Sequence, residues 1–139
     1  GENIEGHIRT QEIDMAASIV STFRMVREKM VDLQQRLAES KSMILDGRDI
    51  GTVVLPHAKY KFYITARPEI RAKRRLLQMN SSNTDYDEIY NQILKRDNQD
   101  MTRKNSPLKK AEDAILIDTS DETPEDTLYR ILEIIQREV

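Results

Sequence analysis

Met43-Ile44-Leu45-Asp46-Gly47-Arg48-Asp49 runs three apolar residues straight into an acid, a glycine, an arginine and a second acid. A buried parallel strand delivers charged side chains at its carboxyl end in this way, and in open α/β sheets that end is where ligands sit. Gly47 permits a tight turn or a close backbone approach to a ligand. Arg48 offers a planar, permanently charged fork suited to phosphate or carboxylate, and an acid on either side can orient it. An Arg–Asp ion pair that simply closes a strand end accounts for the heptapeptide equally well, so the choice falls to the other segments.

The chain of 139 residues is one domain's worth, enough for a moderate core. Its hydrophobic fraction is 38%, its charged fraction 33% and its mean hydropathy -0.65, with no apolar run long enough to cross a bilayer and nothing that reads as a signal peptide. A membrane partner is therefore not expected. There is no cysteine, so disulfides and thiolate metal sites are excluded and a cytoplasmic location is the default expectation. His7 and His57 lie far apart in sequence and read as ordinary polar residues rather than metal ligands. The net charge of -2 argues against a general nucleic-acid binder, and no reader motif is present. Arginines nevertheless cluster locally, which suits a small anion held in a cleft.

Upstream of the central stretch, Gly1 to Gly6 carries turn signals with no element before them, as at the tail of a segment already under way. From Ile8 a helix is expected, because Ile13, Ala16, Ala17 and Val20 recur at helical spacing. A second stripe of Val26, Met30, Leu33 and Leu37 continues after Ser21-Thr22. Ser18, Arg24 and Arg27 edge these stripes, facing either solvent or a ligand.

Downstream, Gly51 to Pro56 fits a short helix or a strand. Tyr60 to Thr65 alternates as a strand does, and Pro68 opens a helix that carries the basic block Arg71, Lys73, Arg74 and Arg75. Asn80 to Asn83 reads as a flexible tip, after which Thr84 and Asp87 resemble a capping box. Tyr86, Ile89, Ile93, Arg96, Asp100 and Arg103 then form one stripe at alternating three- and four-residue steps. The charged half extends the apolar half, which carries the charges towards a cleft, and Asp100 can hold both flanking forks. Asn105-Ser106-Pro107 ends this helix, Ala114 to Asp118 is a second buried strand, and Thr123-Pro124-Glu125-Asp126 caps a last helix with the core-facing stripe Leu128, Ile131, Leu132, Ile135 and Val139.

Taken together, Ile8-Arg9-Thr10-Gln11-Glu12, Ala16-Ala17-Ser18, Val26-Arg27-Glu28, Asp46 to Val54 and the Arg96, Asp100, Arg103 helix resemble bacterial cytidylate kinase over essentially the whole chain. The resemblance implies γ-phosphoryl transfer from ATP, with magnesium, to CMP or dCMP. The fold it implies is an α/β parallel sheet of the P-loop nucleoside monophosphate kinase type with flanking helices and a helical lid. It divides the chain into a helical nucleoside-monophosphate-binding part (1–40), a core sheet part (41–70), a lid (71–104) and a carboxyl-terminal strand and helix (105–139). It places Ser18, Arg27, Arg48 and Asp49 around the monophosphate, with Arg48 on the acceptor phosphate and Asp49 on the sugar. Arg96, Asp100 and Arg103 match the closing lid helix, and Arg48, Arg96, Asp100 and Arg103 are the implied catalytic group. Arg74 is the implied ATP contact. Such chemistry needs positioning and electrostatic stabilisation rather than a protein nucleophile.

One departure is large, since no G-x-x-x-x-G-K-[ST] loop occurs in these residues. The family carries that loop, with its first strand, ahead of Gly1, and that strand lies between the two expected at Met43–Asp46 and Tyr60–Thr65. The expectation is therefore a polypeptide that does not turn over ATP alone, with strand edges open to a complementing amino-terminal segment or a second copy. A CMP-binding module without chemistry and a protein-interaction fragment are the other readings.

Overall fold

A computed structural model describes residue 8 and residues 10–79 and 85–137. The expectations for Gly1 to His7, Arg9, Asn80 to Thr84 and Val139 lie outside these residues. Five α-helices and two strands follow in the order α1 (Gln11–Val20), α2 (Arg24–Ser40), β1 (Phe62–Thr65), α3 (Pro68–Met79), α4 (Tyr86–Thr102), β2 (Ile115–Asp118) and α5 (Pro124–Arg137). The class is α/β. β1 and β2 pair in parallel with Phe62 opposite Ile115 and Thr65 opposite Asp118, and the α3–α4 hairpin makes the crossover between them.

Local chemistry sets most element ends. Thr10 caps α1 by accepting from the Ile13 amide at 3.3 Å. The Ser21 and Thr22 hydroxyls then donate to the carbonyls of Ser18 and Ile19, ending that helix where the two apolar stripes part. Pro68 stands first in α3, where a missing N–H costs nothing. At the start of α5, Thr123 and Asp126 cap each other's amides reciprocally at 3.1 Å. The start of α4 differs from the sequence expectation, because Asp85 is its cap and accepts from the Asp87 amide at 3.2 Å.

The expected strand at Met43–Asp46 does not form, and this corrects the reading of the central stretch. A strand is defined by its ladder, and among the described residues no backbone lies alongside to supply one. Residues 42–46 are irregular, with Ile44 99% exposed. The ambiguous segment after Asp49 is neither strand nor α-helix. Ile50–Val54 is a single π-helical turn, closed by Leu55 N to Ile50 O at 2.7 Å. Such turns concentrate at functional sites, and this one seats the chain directly beyond Arg48 and Asp49.

The apolar centre is Val54, Ala66, Ala72, Ile89 and Ile117, the last fully buried where β2 meets β1. It lies between the sheet, the π turn and the α3–α4 hairpin. The expected stripe on α2 is exposed rather than packed, since Val26, Met30, Leu33 and Leu37 all retain much of their accessible surface. On α5 the covered residues are Ile131, Ile134 and Ile135, whereas Leu128 and Leu132 stand open. Helix α2 is tied to the π turn by Gln35 Nε2, which donates to Val54 O at 3.0 Å.

Candidate functional site

Three arginines from three separate segments meet at two aspartates. Asp49 immediately precedes the π turn, and its carboxylate is buried and paired with Arg27 of α2. One residue earlier, Arg48 Nε donates to Asp100 Oδ2 at 2.9 Å. Asp100 sits on the last turns of α4, so Arg103, one turn on, reaches back with Nη1 3.6 Å from Asp100 Oδ1 and Nη2 4.0 Å from Asp49 Oδ1. Nε of Arg103 donates to Ser106 O at 2.7 Å. Asp49 and Asp100 thus bridge Arg27, Arg103 and Arg48 into one network.

Charge in this network is unbalanced. Three guanidinium groups face two carboxylates, which leaves one positive charge in excess. The Arg103 side chain is only 8% exposed, and burial first, then the adjacent Arg27 charge, lower its pKa against the pull of Asp100 and Asp49. Nε of Arg27 and Nη2 of Arg103 are buried without a hydrogen bond among the described residues. Unsatisfied buried donors beside a surplus cation favour an anion with several acceptor oxygens.

Arg48 opens this cluster to a cleft of about 420 Å³, which Asp46, Gly47, Arg71 and Asp97 also line together with the length of β1. The Arg48 side chain keeps 44% of its surface exposed, so donors remain beyond the one held by Asp100. Ser18 is half-buried on α1 and connects indirectly, because Ser21 Oγ donates to its carbonyl while Arg27 Nη1 donates to Ser21 O at 3.2 Å.

Two other candidates lie apart from the cluster. Arg96 is exposed on α4 and makes no ion pair among the described residues, although the expected stripe puts it one turn before Asp100. Arg74 is engaged elsewhere, donating to Thr119 Oγ1 at 3.1 Å, Thr119 O at 2.5 Å and Glu122 O at 3.1 Å, so it fastens the β2–α5 loop to α3. Among the described residues no group of three or more His, Cys, Asp or Glu side chains is arranged to hold a metal ion.

Arg71 and Asp97 were not singled out as a pair by the sequence, yet they form a bidentate bond across the α3–α4 hairpin. Arg71 appears in the sequence only within a basic block, and Asp97 lies off the apolar stripe. The one available signal is that Asp97 precedes Asp100 by a helical turn.

Fold and cluster define an α/β protein whose arginines converge on two aspartates at the edge of a cleft. The family model for cytidylate kinase matches residues 1–137. Cytidylate kinase of Caldicellulosiruptor bescii is 47% identical over 141 residues, covering 100% of this chain and 62% of the relative. That of Caldicellulosiruptor saccharolyticus is 46% identical over 139 residues, with 99% and 62% covered, and that of Mycobacterium leprae is 41% identical over 140 residues, with 99% and 63% covered. The chain belongs to the cytidylate kinase family, and it spans less than two thirds of the length of these relatives.

Proposed function

We propose that this chain forms the nucleoside-monophosphate-binding, lid and carboxyl-terminal part of a cytidylate kinase, which moves the γ-phosphoryl group of ATP onto CMP or dCMP. The carrying observation is the convergence of Arg27, Arg48 and Arg103 on Asp49 and Asp100, with two buried guanidinium nitrogens making no hydrogen bond among the described residues. In this reading Arg48 and Arg103 bind the acceptor phosphate, while Asp49 and Ser18 contact the nucleoside and Arg27 orients Asp49. Asp100 holds the two phosphate-binding forks at fixed separation. Arg96, exposed on the same helix, joins them when α4 closes over the cleft, and Arg74 remains the proposed ATP contact. The forks act by neutralising charge on oxygens as it redistributes during in-line transfer.

No G-x-x-x-x-G-K-[ST] loop occurs in these 139 residues, so the isolated polypeptide is proposed not to turn over ATP. One edge of β1 is unpaired among the described residues, and the apolar stripe of α2 is exposed. A complementing segment or a second copy covering those surfaces accounts for both features.

Calorimetry with CMP tests the reading. Binding that Arg48→Ala abolishes, with the fold retained, supports a preformed monophosphate site. No heat with CMP or dCMP at millimolar nucleotide leaves the chain an interaction fragment, and CMP-dependent ADP formation by the purified chain refutes the inactivity.

A further inference from the structure

Arg71 spends its guanidinium on two elements at once. Its Nε donates to Ala66 O at 2.9 Å, at the end of β1, while Nη1 and Nη2 donate to the two oxygens of Asp97 at 2.9 and 2.5 Å. Among the described residues this is the ion pair that joins α3 to α4. Ala72 of α3 and Ile89 of α4 are both buried, and apolar packing tolerates small slides and rotations that a two-pronged charge-assisted bond does not.

Asp97 and Asp100 are three residues apart on α4, hence neighbours on one side of the helix. Fixing Asp97 against the end of β1 therefore fixes the rotation and height at which Asp100 arrives beside Arg48. Arg71, Asp97 and Arg48 also line the same cleft, so the clamp lies next to the group it would control.

We propose that Arg71 and Asp97 are positioning residues for the monophosphate site: they set the register of α4 against β1 so that Asp100 accepts from Arg48 Nε. The inference rests on the reading of Arg48 as a phosphate ligand only for its functional consequence; the geometric part stands without it. Arg71 is not itself a ligand in this scheme: its Nε and one N–H of each forward nitrogen are bound to Ala66 and Asp97. Lysine cannot replace it, since one ammonium cannot serve a carbonyl and both oxygens of a carboxylate in a plane.

The test is hydrogen exchange of the Arg48 Nε–H by NMR on the 139-residue chain, followed by CMP titration, for wild type, Arg71→Lys, Asp97→Asn and Asp97→Glu. The expected result is exchange faster by about fivefold or more in Arg71→Lys and Asp97→Asn, the scale of coupling inside one ion-pair network. The amides of Ala72 and Ile117 keep their protection, and CMP affinity falls in the same rank order. Asp97→Glu, which retains the charge, guards against loss of the fold and is expected to fall between wild type and Asp97→Asn. Unchanged Arg48 exchange in a folded variant overturns the proposal. So does an equal loss of protection at Ala72 and Ile117, which marks a purely structural pair. Faster Arg48 exchange in a chain that never binds CMP upholds the positioning role and instead removes the monophosphate reading.

Discussion

Arg48 and Asp100, separated by 52 positions in the chain, meet through a 2.9 Å bond from Nε to Oδ2 in which the aspartate is buried and the arginine is not. That asymmetry predicts unequal costs. Asp100→Ala leaves Arg103 buried beside Arg27 with one carboxylate fewer, a loss of about 3–5 kcal/mol by analogy with other broken buried pairs. Arg48→Ala removes a half-exposed partner while Asp100 keeps Arg103, and is expected to cost about 1 kcal/mol or less. Urea unfolding of the two variants measures both. The reverse order would show that Arg48, not Asp100, is the hub.

Among the described residues, Ser106 is the non-glycine residue with positive φ, at 49°. It sits in the reversal after α4, where Leu108 N returns to Asp100 O at 2.8 Å and Arg103 Nε is bound to the Ser106 carbonyl. The left-handed conformation costs a side-chain-bearing residue about 1–2 kcal/mol, while glycine gives back about 0.5–1 kcal/mol through its looser unfolded state. Ser106→Gly should therefore stabilise the chain by up to about 1 kcal/mol, read as a higher urea midpoint at unchanged slope. A destabilised variant would mean that the Ser106 hydroxyl matters more than its backbone.

Features decided within a few residues were legible in the sequence, and features decided by a partner were not. Pro68 and the Thr123–Asp126 cap mark helix starts through local sterics and hydrogen bonds, and both appear where expected. Met43–Asp46 has the composition of a strand, but strand formation belongs to a pair, and no neighbouring ladder exists among the described residues. The β-branched run after Asp49 concealed a π turn, because apolar periodicity cannot separate short strands from short helical turns. Within the site, the α4 spacing pointed to Asp100 and Arg103, whereas the meeting of Arg27 with Asp49 spans 22 positions that no local pattern links. The basic block on α3 was the least readable, since Arg71, Arg74 and Arg75 have three different sets of partners on other elements.

Gly51 lies in the π turn with little room for a side chain. A Cβ there would meet Lys61 Cδ at 3.2 Å, and Lys61 cannot swing away, because its Nζ is held by Asp113 at 2.5 Å and by Pro56 O at 2.5 Å. Overpacking costs about 1–3 kcal/mol, partly offset by the roughly 0.5–1 kcal/mol gained on replacing a helical glycine. Gly51→Ala is expected to lose about 1 kcal/mol. In a Lys61→Ala background the same substitution should become neutral or stabilising, and a double-mutant cycle by thermal unfolding reads the difference. An unchanged penalty in that background would place the clash in the backbone.

Four carboxyl groups are held below their ordinary pKa, each chiefly by a side-chain hydrogen bond: Asp113 from Lys61, Asp118 from the Ser120 hydroxyl, Asp121 from Arg67 and Asp126 from the Thr123 hydroxyl. A depressed folded-state pKa contributes stability that is fully present above the unfolded value, about 3.9 for aspartate, and that disappears as pH falls through the lower folded values. The urea midpoint should accordingly hold steady from neutral pH to about 5 and drop below about 4. In Asp118→Asn the acid limb loses one linked proton and becomes shallower, while Ser120→Ala shallows it by returning the Asp118 pKa towards normal. A limb equally steep in both variants would assign the acid sensitivity to the other depressed carboxylates, Asp113, Asp121 and Asp126.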